Sequence, residues 1–498
     1  MKLTLRTTKT SSGATAVQVV RYEHRRTVVV RHVGSTQDAH KLVALKQTAR
    51  AWIRATTHQT SLFPSPSCSG TLLLEQCRYL GFRYGLLHET LTNIFTRFKF
   101  HLLHHPLLTD LVLARIIEPG SKLQSLEFLK QFLGIGHSRC ELYRQIPTLL
   151  DLQERVEHNV LTIAKKQFSF TCSLVFYDVT TLYFESFTED TLRLPGFSKD
   201  NKPQQPQILI GLLVTEEGFP VAYQVFKGNT FEGHTLIPVI SAFKRKHRVG
   251  KLTVVADAAM MSLENVEALR QSNLQYVVAA RTASLSPDLI EKLSGQLNQQ
   301  DGATVRVPTG KYGDLICEFS TKRFAKDQRE MKNQITKAQE LLKHPSSIKR
   351  TKFIKVDEQA GYSFNTELEK KTQLLLGLKG YYTNLGPEVS EQMIIKQYHN
   401  LWHVEHAFRM TKSDLLMRPM FHFKEQTIKA HILICFMALA VCKYMELKTG
   451  KSTKYVLKHL KSVTDARLMN TITNEEFILR APLNPETEHL LASLRLSY

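Results

Sequence analysis

The stretch SLVFYDVTTLYFESF, Ser173 to Phe187, is rich in β-branched and aromatic residues, yet Asp178 stands inside it. Its composition predicts a strand or two. A carboxylate flanked by Val175, Phe176, Tyr177 and Val179 is costly unless one face meets water or a cation. The chain must therefore build a sheet that opens at this strand.

The segments that follow fix the kind of sheet. Gln207 to Thr215 and Phe219 to Phe226 read as two more strands, joined by a turn at Glu216-Glu217-Gly218. Thr235 to His247 reads as a helix and Leu252 to Ala256 as a buried strand of the parallel kind. A helix over Leu263 to Ser272 and a short strand over Gln275 to Ala280 complete the order β-β-β-α-β-α-β. That order matches a ribonuclease-H-like α/β fold, a mixed sheet with helices on both faces.

Other shifts in pattern divide the rest of the chain. Residues 1–60 form a basic N-terminal region, with a strand predicted over Arg26 to Arg31 and a helix over His40 to Arg54. Ser61 to Gly70 reads as a linker. Residues 72–167 are helical in pattern, either a DNA-binding region or a scaffold packed on the core. The core's first part, 168–281, is interrupted over 282–390 by a polar stretch with possible strands, Gly302 to Ser320. A basic helical segment, Lys322 to Lys343, follows and carries Arg323, Lys326 and Arg329. A helical pattern resumes at Glu391 and runs through to about Asp414, another helix spans Thr427 to Lys448, and 449–498 reads as a C-terminal tail suited to oligomerisation.

Lys plus Arg total 66 against 45 Asp plus Glu, a formal net charge of +21. So basic a surface attracts polyanions, with nucleic acid the default partner and a ribosome-associated or membrane-surface role the plainer alternative. No apolar run reaches the roughly 18 residues of a membrane span. The best, Ala430 to Val441, is too short, and Met1 to Arg6 lacks a secretory apolar stretch, so a cytosolic location is expected. The seven cysteines are odd in number and form no C-x-x-C pair, which indicates neither a disulfide framework nor a zinc site.

Asp257 repeats the situation of Asp178, following Thr253-Val254-Val255-Ala256 at the C-terminal end of its strand, the edge where α/β sheets bind ligands. Glu405 lies in a late helical segment with Trp402, Ala407 and Phe408. A single Asp at a strand end reads more simply as a turn or cap residue, and Glu405, among apolar neighbours, is expected to point inward. In a ribonuclease-H-like fold the three places converge. Phosphodiester cleavage needs charge on both the attacking and the leaving oxygen, which two Mg²⁺ ions about 4 Å apart provide, and such ions prefer carboxylate oxygen. Tyr398, Glu405 and Lys412 are seven apart, close to two helical turns, which predicts one shared face.

These residues resemble the DDE transposases of bacterial insertion sequences, in particular the insertion-sequence-4 superfamily with its Tyr-x2-Arg-x3-Glu-x6-Lys signature. QYHNLWHVEHAFRMTKSDL supplies Tyr398, Glu405 and Lys412 at that spacing. FYDVTTLYFES, VFKGNTFEGHTL, VVADAAMMSLENVEAL, ARIIEPGSKL and RPMFHFKEQTIKAHILICFMALAV are similar to members of that group. The resemblance covers roughly Leu72 to Lys448. It implies a cut-and-paste enzyme acting on its element's terminal inverted repeats and on target DNA. It also implies Asp178, Asp257 and Glu405 as the catalytic triad for two Mg²⁺ ions, with Mn²⁺ able to substitute, and an insertion domain over 282–390. A homodimer on double-stranded DNA is expected, because two ends must be held together. Leu401 departs from the pattern, standing where the signature has Arg, and Arg409, one turn beyond Glu405, is expected to take over the phosphate contact. Arg323, Lys326 and Arg329 are expected to contact DNA. A catalytically silent DNA-binding derivative and a metal-dependent ribonuclease of the same fold are the competing readings.

Overall fold

The computed structural model describes residues 3–23, 26–57, 76–197, 204–260, 262–310, 312–344, 351–357 and 361–496. The linker expected at Ser61 to Gly70 lies outside them. The chain divides into two compact units. One holds Met1–Thr90, Lys130–Ile135 and Lys454–Tyr498, the other Leu91–Leu129 and Gly136–Thr453.

The second unit is built on an eight-stranded sheet. Its strands are β1 (Leu174–Tyr183), β2 (Gln207–Val214), β3 (Pro220–Lys227), β4 (Thr253–Ala256), β5 (Gln275–Ala280), β6 (Thr304–Pro308), β7 (Asp314–Phe319) and β8 (Leu378–Thr383). They lie in the order β3-β2-β1-β4-β5-β8-β7-β6. β1 and β4 are parallel, as are β4 and β5, and the other pairs are antiparallel. Helix α1 (Leu236–His247) leads from β3 to β4, and α2 (Leu263–Gln271) from β4 to β5. The first five strands are the ribonuclease-H-like arrangement expected from the sequence. All four residues of β4 are buried, as a parallel strand covered on both faces requires.

Residues 282–390 are not set apart from this sheet as a whole, because β6, β7 and β8 extend it beyond β5. Helix α3 (Thr321–Leu342), the paired strands Ile354–Asp357 and Gly361–Phe364, and the helix Thr366–Leu374 supply the remainder. Met331, Ala338, Phe353 and Leu376 form a small core there.

The segment from Glu391 to Asp414 also differs from the single helix expected. It is α4 (Glu391–His399), a tight junction, α5 (Trp402–Arg409), and a π-helical turn over Met410–Asp414. At the junction Leu401 N–H donates to the Tyr398 carbonyl and Val404 N–H to the Leu401 carbonyl, three residues back instead of four. Leu401 is only 6% exposed. An apolar residue packs where the signature's arginine would stand.

Helix α6 (Glu425–Thr449) is longer than the apolar run that marks it, and every residue from Ala430 to Met445 is buried. By length and composition it qualifies as a membrane span, yet 94% of its apolar window lies inside the fold, as in a core helix. The helices Pro106–Ile117 and Gln153–Phe168 pack on it, and Phe98 and Phe168 both meet the ring of Tyr444. Packing accounts for their apolar faces.

In the first unit, strands Leu3–Lys9, Thr15–Glu23 and Arg26–Thr36 form an antiparallel sheet covered by the helix Ala39–Thr57 through Val17, Val19, Val33, Leu45 and Ala49. Cys77–Arg83 is a strand, not the helix its surroundings suggested, because it pairs with Asp465–Asn470 from far along the chain. The C-terminal residues are likewise folded. Arg480 grips Asp465 and Glu89 with paired hydrogen bonds of 2.6–2.9 Å.

Candidate active site

The parallel pairing of β1 and β4 sets Tyr177 beside Ala256. One step further along each chain come Asp178 and Asp257, so the two acids occupy matching positions on neighbouring strands. β4 ends at Ala256, and a one-turn helix over Ala258–Met260 follows. Asp257 is therefore exposed beyond the strand end, while Asp178, mid-strand, is half-buried. Each accepts from the next backbone N–H at 2.7 Å, Asp178 from Val179 and Asp257 from Ala258.

Helix α4 packs across β4 and β5 and brings Tyr398 over them. The Tyr398 hydroxyl donates to Asp257 Oδ1 at 3.4 Å. Burial above all, then the charges of Asp257, Glu405 and Asp178, raise this phenol well above its ordinary range. It is thus neutral and a donor at physiological pH. The same fact shows that all three acids lie within electrostatic reach of one hydroxyl. Helix α5 packs on β1 and β2. It buries Val404, Ala407 and Phe408 and leaves Glu405 exposed, facing outward instead of inward as its apolar neighbours suggested.

Sequence reasoning missed the cation of this site. Lys379 Nζ lies 4.6 Å from the ring centre of Tyr398 and 5.4 Å from that of Tyr381. Burial and Arg323 lower its pKa, while Glu318, Asp257 and Glu405 oppose them. Glu318 accepts from the Tyr381 hydroxyl and lies 3.2 Å from His399 Nε2. Glu318 and Lys379 face each other across the β7–β8 register. No local pattern marks them, since β7 and β8 join the sheet only in three dimensions.

The other expected contacts are scattered. Arg323 pairs with Asp327 at 3.3 Å on α3, and its charge reaches Lys379 and Tyr381. Lys326 and Arg329 are exposed on the same helix, and Arg409 is exposed one turn beyond Glu405. Lys412 is half-buried in the π-helical turn, so the seven-residue spacing does not put it on one regular helix face with Tyr398. Burial first, then Lys443, holds His403 and His406 below the usual imidazole range.

In kind, three carboxylates fit a hard divalent cation. In placement, no group of three His, Cys, Asp or Glu among the described residues is drawn together closely enough to hold a metal ion. Asp178 and Asp257 sit at matching register positions, and Glu405 acts on the same Tyr398 hydroxyl through its charge, without the three closing into one coordination sphere.

A family model described as the transposase DDE domain matches residues 173–441, just over half of the chain. No curated protein sequence matches it. Among solved structures, the chain is similar to a piggyBac transposase synaptic complex with hairpin DNA, at 12% identity and a TM-score of 0.35. The match covers 61% of this chain and 57% of that one, so the chain spans little more than half that structure's length. It is also similar to a Mos1 transposase paired-end complex with a left transposon end, at 14% identity, 48% and 70% coverage, and a TM-score of 0.16.

Proposed function

This chain belongs to the transposase DDE domain family, and from that premise we propose that it moves a DNA element by cut-and-paste transposition, cleaving at terminal inverted repeats and joining the ends to target DNA. The finer placement, in the bacterial insertion-sequence-4 superfamily, rests on the Tyr398, Glu405 and Lys412 spacing. The observation that carries the catalytic reading is the matched position of Asp178 and Asp257 on adjacent parallel strands, both inside the family match.

Asp178, Asp257 and Glu405 are the carboxylates that would hold divalent cations. Bound there, divalent cations such as Mg²⁺ or Mn²⁺ would supply the positive charge that phosphodiester cleavage and strand joining require. The neutral Tyr398 hydroxyl orients Asp257 by its hydrogen bond. Lys379 offsets the like charges of the acids before DNA arrives. Arg409 presents a guanidinium fork to a phosphate beside the acids, and Arg323, Lys326 and Arg329 add phosphate contacts along α3. A homodimer on double-stranded DNA holds the two ends.

The test is excision in a cell-free mixture of purified protein, Mg²⁺ and a duplex carrying the inverted repeats that flank the coding region. Release of the element at its boundaries is expected. Digestion of RNA with no dependence on the repeats would instead make the protein a ribonuclease of the same fold.

A further inference from the structure

Two segments that the catalytic site does not use meet in the core of the second unit. RIIEPGSK supplies Arg115 and Lys122, and RPMFHFKEQTIKAH supplies Arg418, His422 and His431. Together they line a cavity of about 290 Å³. No carboxylate is among its lining residues.

Three of these groups are buried with hydrogen-bonding capacity left unfilled. Arg115, Lys122 and His431 are 4%, 8% and 4% exposed. Lys122 Nζ lies 2.7 Å from His422 Nε2, a neutral base rather than an anion. The His422 and His431 rings are 5.0 Å apart. His431 Nε2 donates to the Met417 carbonyl at 3.4 Å, and its Nδ1 has no partner. Arg115 Nη1 reaches two carbonyls, those of Leu415 and Leu416, both at 3.4 Å, and its Nε has none. A buried polar group left unsatisfied is costly, and a buried charge more so. Like charges this close repel, and no acid in the lining compensates them.

We propose that this cavity is a phosphate-binding site, in which one phosphate group lies between Arg115, Lys122, Arg418 and the two histidines. A phosphate supplies the missing oxygens for the arginine fork and the ammonium, and its charge cancels theirs. The cavity holds several times the roughly 30 Å³ that a water occupies in the liquid, enough room for such a group. Its place suits a DNA strand. Phe184, just past the end of β1, bridges Met420 beside the cavity, six residues beyond Asp178, or about 20 Å along an extended strand. Backbone phosphate and free phosphate share this chemistry, and the experiment separates them. The DNA arm rests on the transposase reading, whereas the phosphate arm stands without it.

Thermal unfolding is measured in inorganic phosphate and in chloride at equal ionic strength, for wild type, Lys122→Met and Arg418→Gln. Arg418 is only half-buried, so its variant keeps the test alive if Lys122→Met does not fold. The wild type is expected to gain a saturable rise in Tm from phosphate, which each variant loses. An equal response in all three overturns the site. The second arm plots log affinity for duplex DNA against log salt concentration. A slope smaller by about one in the variants identifies the ligand as a backbone phosphate. An unchanged slope with a lost Tm response identifies it as free phosphate.

Discussion

The acids around Tyr398 and the cations around Lys122 are both groups of like charge within one compact unit, and the fold treats them differently. Asp257 and Glu405 face solvent, and Lys379 stands among the acids as a counter-charge. Water and one ammonium make that cluster cheap to keep without a ligand. Arg115 and Lys122 are buried, with no carboxylate in the cavity lining. Burial, and then the charge of Arg115, lowers the Lys122 pKa to about 7. Burial, then Lys122, lowers that of His422 to about 3. An open acid site can wait for cations at little cost to stability. A cationic site built on buried groups costs the fold stability until an anion arrives. Substitution should therefore remove activity at the first site and alter stability at the second.

The largest effect is expected at the acids. On the proposed reading, in which bound cations act in the transition state, Asp178→Ala, Asp257→Ala and Glu405→Ala should each reduce strand cleavage by a factor on the order of a thousand or more. Affinity for the DNA end should hold, since it comes from phosphate neutralisation. Single-turnover cleavage beside a gel-shift titration measures both, and a variant that cuts at the wild-type rate removes its residue from the site.

Stability should respond to pH at the cations. Lys122 has a folded pKa below its unfolded value, so unfolding favours its protonated form. The penalty is complete below about pH 7 and fades as pH rises from there toward 10.5. Its size is on the order of a few kcal/mol. Arg115, Arg418, His422, His431 and Cys435 share the surroundings, so the useful quantity is the difference between wild type and Lys122→Met. Urea denaturation at pH 6.5 and pH 9.5 should show the wild type gaining on the variant as pH rises. Parallel profiles would remove the contrast between the two clusters.

A smaller effect is expected at Arg409. Arg409→Ala should slow cleavage of a pre-bound end by roughly a hundredfold, as removal of a charged transition-state interaction does. Arg409→Lys, which keeps the charge but not the fork, should fall between. Normal rates in both would assign the phosphate interaction that Leu401 cannot make to a residue other than Arg409. The smallest effect is expected along α3. Replacing Arg323, Lys326 and Arg329 by Gln should weaken DNA binding and lower the salt slope by at most about three, less whatever Asp327 already neutralises at Arg323. An unchanged slope would make that helix a solvated face.

Local pattern carried the reading where neighbours in sequence are neighbours in space. β1 to β5 and their helices were legible because each is an apolar run bounded by turn residues, and their order dictates the sheet. Asp178 and Asp257 stood out as charges in such runs. Three features were hidden. The strands over Gly302 to Ser320 were legible as β6 and β7, but they join the sheet through β8, in pairings distant in sequence, so Glu318 and Lys379 gave no signal. The break at Leu401 and the π-helical turn at Lys412 sit inside a stretch of helical composition, so a heptad spacing suggested a regular face that the backbone does not form. The cavity joins residues some 300 positions apart, and its motifs were visible only as resemblance, without a chemical role.

The most direct test of the catalytic claim changes one ligand's chemistry instead of deleting it. A duplex bearing the element's end is incubated with wild type and with Asp257→Cys, in Mg²⁺ and then in Mn²⁺. A thiolate is a poor ligand for Mg²⁺ and a better one for the softer ion. The wild type is expected to cut in both. The variant is expected to be silent in Mg²⁺ and to recover cleavage in Mn²⁺. Cleavage by the variant in Mg²⁺ at the wild-type rate would contradict the proposed role of Asp257 as a metal ligand, and with it the proposed catalytic mechanism.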